Sequence, residues 1–202
     1  MPISTSETTS FRPTDRIDIS DPGAQTAAVY DIQGVARVHV WSTGAVIGRN
    51  DDSTTHIGFQ IENIGHHGIE FDGNTFELVI FHESGAQLPD PILTSIVPLR
   101  PSRLPIPPAT GVTLDLYFKL AVRLQHVASM RASWSILAAE QRIVRSTNFV
   151  RDDDGPAIRP RADLRSGVTV IHRERAALAV TGVVNALAHE FGSQEQRRGS
   201  LR

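Results

Sequence analysis

Val112-Thr113-Leu114-Asp115-Leu116-Tyr117-Phe118 alternates apolar and polar residues without a break. Successive side chains on an extended strand point to opposite faces, so this run offers one apolar face to a core and a polar face to water. Ile57, Phe59 and Ile61 alternate with Gly58, Gln60 and Glu62 in the same way, and Ala132, Trp134 and Ile136 with Arg131, Ser133 and Ser135. Phe76 to Phe81 is apolar more continuously, as expected of a strand covered on both faces. Val35 to Trp41 and Arg142 to Val150 are further strand candidates. Turn residues separate these runs at Asn50-Asp51-Asp52-Ser53, Asn63-Ile64-Gly65, Asp72-Gly73-Asn74 and Ser84-Gly85. Short strands at near-regular spacing predict a mainly β protein, an antiparallel sandwich or barrel.

Outward from this centre the pattern changes. Leu88 to Pro108 carries seven prolines, which remove ladder donors, so it cannot be a central strand and reads as a crossing between sheets. The sandwich is expected to span residues 25–151, with a charged linker at 152–166. Asp152-Asp153-Asp154 in that linker is contiguous and lacks the alternate acidic positions and closing glutamate of a calcium loop. Residues 167–192 are expected to be a helical segment, because Val180, Val183, Val184, Leu187, Ala188 and Phe191 form an apolar stripe with a 3.6-residue period, followed by Gly192 at the cap position. Residues 1–24 are polar and read as a flexible arm, and 193–202 as a disordered tail.

The 202 residues contain no cysteine, which excludes disulfides, thiolate nucleophiles and cysteine-ligated metals. A formal net charge of −2, with 40% hydrophobic and 21% charged residues, describes an ordinary globular chain with no general attraction to nucleic acid. Lys119 is the only lysine among many dispersed arginines, which reads as the coding bias of a GC-rich bacterial genome. Ala176 to Ala188 is too short and too interrupted to span a membrane, and Met1 to Ser10 has no signal-peptide pattern, so the cytoplasm is expected.

The chemistry-bearing residues are sparse. His66, His67 and His82, with His56 and Asp72 nearby in sequence, could supply imidazole ligands to zinc or copper, but no His-x-His or His-Glu-x-x-His spacing is present. No Gly-x-Ser-x-Gly elbow or phosphate-binding glycine loop occurs, and no cofactor is implied.

Arg12-Pro13-Thr14-Asp15-Arg16 resembles the Arg-x-x-x-Arg element of PilZ domains, and Asp18-Ile19-Ser20-Asp21-Pro22-Gly23 their Asp-x-Ser-x-x-Gly element. That resemblance implies cyclic di-GMP held by Arg12, Arg16, Asp18, Ser20 and Gly23. In the family a strand separates the two elements, whereas here only Ile17 does. Over residues 35–150 the chain also resembles bacterial immunoglobulin-like sandwiches. Ile57 to Gly65 is similar to their strand ending in Asn-x-Gly, followed by Gly68-Ile69-Glu70-Phe71, Phe76 to Phe81, and a final strand near Thr147-Asn148-Phe149. The resemblance implies an antiparallel immunoglobulin-like sandwich, here with a C-terminal helix, a fold used in adhesion, carrier and assembly proteins.

The sequence therefore predicts a non-enzymatic binding or scaffold module acting through a protein partner or self-association. The stripe Val180, Val183, Val184, Leu187 and Phe191 would pair two copies as a homodimer. A cyclic di-GMP sensor and a His-cluster metalloprotein or metal-dependent enzyme are the alternatives.

Overall fold

The computed structural model describes residues 8–14, 17–18, 27–47, 53–94, 103–152 and 167–172. In chain order its strands are β1 (Thr8–Pro13), β2 (Ile17–Asp18), β3 (Ala27–Ile32), β4 (Ala36–Trp41), β5 (Ala45–Ile47), β6 (Ser53–Asn63) and β7 (Ile69–Asp72). Then come β8 (Glu77–Phe81), β9 (Ile92–Thr94), β10 (Arg103–Ile106), β11 (Thr110–Leu120), β12 (Ser129–Ala138), β13 (Gln141–Asp152) and β14 (Gly167–His172). Contacts divide the chain after Ile171, and all of these strands but His172 belong to the first unit.

Two long ladders organise the strands into two antiparallel sheets. In sheet A, β6 pairs along its whole length with β11, from Ser53 opposite Leu120 to Glu62 opposite Gly111. The other edge of β6 is shared by β4 and β5, and β3 and β2 extend the sheet beyond β4. β9 and β14 pair with β11. In sheet B, β12 pairs with β13 from Ser129–Val150 to Ala138–Gln141. Its other edge is shared by β7 and β8, with β10 beyond β7.

The alternating apolar residues meet between the sheets. Val38, Val40, Ile57, Phe59, Ile61, Leu114, Leu116 and Phe118 from sheet A share one core with Phe71, Leu78, Ile80, Met130, Ala132, Trp134, Ile136 and Phe149 from sheet B. Phe59 links the two layers, its ring 5.4 Å from Phe71, 5.7 Å from Phe76 and 6.1 Å from Trp134. Rings this close and tilted gain attraction beyond simple burial. The buried polar tips are satisfied in a chain: Trp134 Nε1 donates to Thr147 Oγ1, which lies 2.9 Å from Tyr30 Oη, and Tyr30 donates to the Ser146 carbonyl.

Several expectations need correction. Thr8–Pro13, read as part of a flexible arm, is a strand that belongs to both sheets: Thr8 and Thr9 pair with β5, and Ser10 to Pro13 with β13. Its one large apolar residue, Phe11, is 3% exposed and joins the core; a six-residue strand with a single anchor shows no sustained period. Ile17–Asp18, in the same arm, pairs with β3. The polar faces do not all reach water either, for Tyr117, Ser135 and Asp72 are buried.

Gly167–His172, assigned to a helical segment, is strand β14; its Val168, Thr169, Val170 and Ile171 are β-branched and favour extended backbone. The helical stripe itself, from Val180 to Phe191, lies outside the described residues. In the proline-rich stretch, β9 belongs to sheet A and β10 to sheet B, flanked by β8 in sheet B and β11 in sheet A. The chain thus changes layers repeatedly here, and each short strand has one partner strand among the described residues, an edge position in which Pro105 costs no ladder bond.

Candidate functional site

The outer face of sheet A carries polar and aromatic side chains that lie outside the shared core. It is built by register. Trp41 on β4 lies opposite Gly58 on β6, which lies opposite Asp115 on β11. One row along are His39, Gln60 and Thr113; one row the other way, His56 lies opposite Tyr117.

His56 is 1% exposed although its strand position faces outward. The turn after β4 covers it: Thr43 N donates to His56 Nδ1 at 3.2 Å, and Ser42 Oγ donates to the His56 carbonyl at 2.7 Å. The Tyr117 ring packs on it with centroids 4.7 Å apart. A backbone N–H can only donate, so Nδ1 carries no proton and the ring is neutral, with Nε2–H donating to Asp115 Oδ1 at 3.0 Å. A histidine beside a carboxylate is also a component of acid–base machinery, but in such machinery the second nitrogen faces a nucleophile or substrate. Here the backbone occupies it. The pair ties the Ser42–Gly44 turn to β11.

Trp41 and Gly58 form the second feature. A Cβ at Gly58 would come within 2.2 Å of Trp41 Cε2 and 2.5 Å of Cζ2 and Nε1. The indole therefore rests on the backbone of β6, a placement only glycine permits, and Trp41 is half-buried. Around it, Arg37 pairs with Asp31 at 2.7 Å and Gln60 Nε2 donates to Glu62 Oε1 at 3.1 Å.

The third feature is the β9 edge. Ile92 is 65% exposed and Leu93 39% exposed, and β9 pairs with β11 alone among the described residues.

The residues singled out from sequence are dispersed. His66 and His67 are exposed in the β6–β7 connection, while His82 follows β8. β7 begins opposite Ala138 and β8 ends opposite Ser129. Nine strand positions separate these points, so the histidines stand at opposite ends of sheet B, about 30 Å apart. His82 Nδ1 instead accepts from Ser84 N at 3.2 Å. Among the described residues no three His, Cys, Asp or Glu side chains gather into a metal-binding group.

Of the PilZ-like set, Arg12 projects from β1 in sheet B, its Nε 3.8 Å from Asp152 Oδ2, and Asp18 lies on β2 in sheet A. Arg16, Ser20, Gly23 and the stripe Val180, Val183, Val184, Leu187 and Phe191 fall outside the described residues.

Sequence reasoning missed Trp41, Gly58 and the His56–Asp115 pair. A glycine inside an otherwise regular strand was the available signal, since it marks close approach of another group. No protein-family model matches the chain, and no curated protein is detectably similar to it. Among the described residues no helix is long and apolar enough to cross a membrane.

Proposed function

We propose that this chain is a non-enzymatic binding or scaffold module, built on an immunoglobulin-like sandwich, that acts through protein–protein contact. The observation that carries the reading is the β9 edge, where Ile92 is 65% and Leu93 39% exposed on a strand with one partner strand among the described residues. An edge offers unpaired backbone donors and acceptors to a partner strand, and exposed side chains beside them supply affinity and register. Two further features support it: the antiparallel layers exchange strands repeatedly, as in Greek-key sandwiches, and the buried histidine–carboxylate pair has both imidazole nitrogens committed to the fold.

Capture with the full chain as bait, then reconstitution from purified components, tests this. Replacing Ile92 and Leu93 together by lysine should weaken the reconstituted complex by about tenfold or more and leave the melting temperature unchanged. A complex indifferent to both substitutions would overturn the reading.

A further inference from the structure

We propose that His56 makes the Ser42–Gly44 turn a latch released by acid: protonation of the buried imidazole lifts the turn off β6 and parts β5 from β1. The device lies away from the β9 edge and does not rest on the protein-partner reading.

The first support is a hydrogen bond that tolerates only one charge state. His56 is 1% exposed, and Thr43 N donates to its Nδ1 at 3.2 Å. A proton on Nδ1 sets a donor against a donor, so the closed turn loses this bond once the ring is charged. Nε2 faces Asp115 Oδ1 at 3.0 Å, and that contact is held by the β6–β11 ladder whether the turn is closed or open. The carboxylate therefore attracts an imidazolium in both forms, and its effect on the choice between them cancels. What remains is the Thr43 bond and the burial of a charge, and both favour the open turn in acid.

The surroundings leave that sign unchanged. From β11 the ring meets Asp115 and Tyr117, with exposed Lys119 one row further along the same face, and these groups are present in both forms. The turn brings Ser42, Thr43 and Gly44, β4 ends in Trp41, and β5 brings Ala45, Val46 and Ile47. On β6 itself the nearest outward positions are Thr54 and Gly58, and β9 beyond β11 carries Ile92, Leu93 and Thr94. None of these is ionisable.

The second support is that the closed turn carries a cost of its own. Thr43 Oγ1 is buried with no hydrogen-bond partner, a penalty that opening to water removes.

The third support is what the turn holds. Gly44 lies against the Thr9 backbone, too close for any side chain, and the next residues, Ala45 and Val46, pair with Thr9 and Thr8. These two pairs join β1 to sheet A, whereas four pairs from Ser10 to Pro13 keep it in sheet B. Release of the turn thus opens the seam between β1 and β5 and leaves the sandwich standing.

Amide exchange of the full chain, corrected for the intrinsic pH dependence of exchange, is followed by NMR from about pH 7.5 to about 5.5, where histidines ordinarily change charge. Opening at the Thr43, Gly44 and His56 amides should increase with acid, approaching about tenfold per pH unit, the limit for one proton. Phe59 and Ile61 should stay protected. The ring nitrogens of His56 should report the Nε2–H form at the upper end and titrate together with the rise in exchange. His56→Asn keeps an acceptor near Nδ1 but takes no proton, and should flatten the profile. Asp115→Asn keeps an acceptor for Nε2 without the charge, and should move the rise to lower pH by about one unit or more; this variant and the ring titration carry the test if His56→Asn does not fold. A flat wild-type profile, a slope that survives in folded His56→Asn, an unmoved rise in Asp115→Asn, or a ring protonated on Nδ1 at neutral pH overturns the proposal. An equal rise at Phe59 and Ile61 also overturns it, since that marks unfolding of the whole domain.

Discussion

Strand β6 has two faces made by the same eleven residues, and they are buried by different means. On the inner face Ile57, Phe59 and Ile61 are covered by a second sheet, and their packing is spread over many neighbours. On the outer face His56 and Gly58 are also hidden, but by a few specific neighbours: the Ser42–Gly44 turn, Tyr117 and Asp115 around His56, and the Trp41 ring over Gly58. Burial by a layer follows from period-two patterning. Burial by a few specific neighbours depends on particular residue pairs, and so is invisible to patterning.

That contrast sets the order of expected effects. Phe59→Ala removes the ring that joins the layers and should cost about 3–5 kcal/mol in chemical denaturation. A loss under about 1 kcal/mol would mean the inner face is no better packed than the outer. Gly58→Ala should cost roughly 1–3 kcal/mol, because the new methyl displaces Trp41. The sharper form is a double-mutant cycle, in which the cost of Gly58→Ala should largely vanish when Trp41 is already alanine. Equal costs in both backgrounds would show that the indole is not what the glycine accommodates. Arg37→Ala, which breaks an ion pair between exposed partners on the same outer face, should change stability by no more than about 0.5 kcal/mol.

What could be read from the sequence follows the same division. β6, β11 and β12 declared themselves because each repeats its apolar residue often enough to show a period, whereas β13, with Ile143, Val144, Phe149 and Val150 but none between, was only a strand candidate. β1 did not declare itself, since Phe11 alone anchors it. The hairpin joining β12 to β13 carried no turn signal, because Ala139 and Glu140 take positive φ of 46° and 68° where Asn-Gly is usual. Tertiary context imposes that turn against local preference. At the candidate site, Trp41 was legible only as the last residue of a strand, and its relation to Gly58 and Asp115 exists only once β4, β6 and β11 are aligned. The histidines drew attention by number, yet β12 holds His66 and His67 far from His82.

The double membership of β1 has a consequence for how the protein is made. The ribosome delivers Thr8–Pro13 before any other strand described here, but its longest pairing is with the end of β13, some 140 residues later. Phe11 must therefore wait, unpaired, while nearly the whole domain emerges. Closure of the two layers becomes a late event, subject to the slow kinetics of distant strand pairing. A nascent chain paused before Phe149 could already pair Thr8 and Thr9 with β5, but the edge of sheet B that Ser10 to Pro13 fill would still lack its partner.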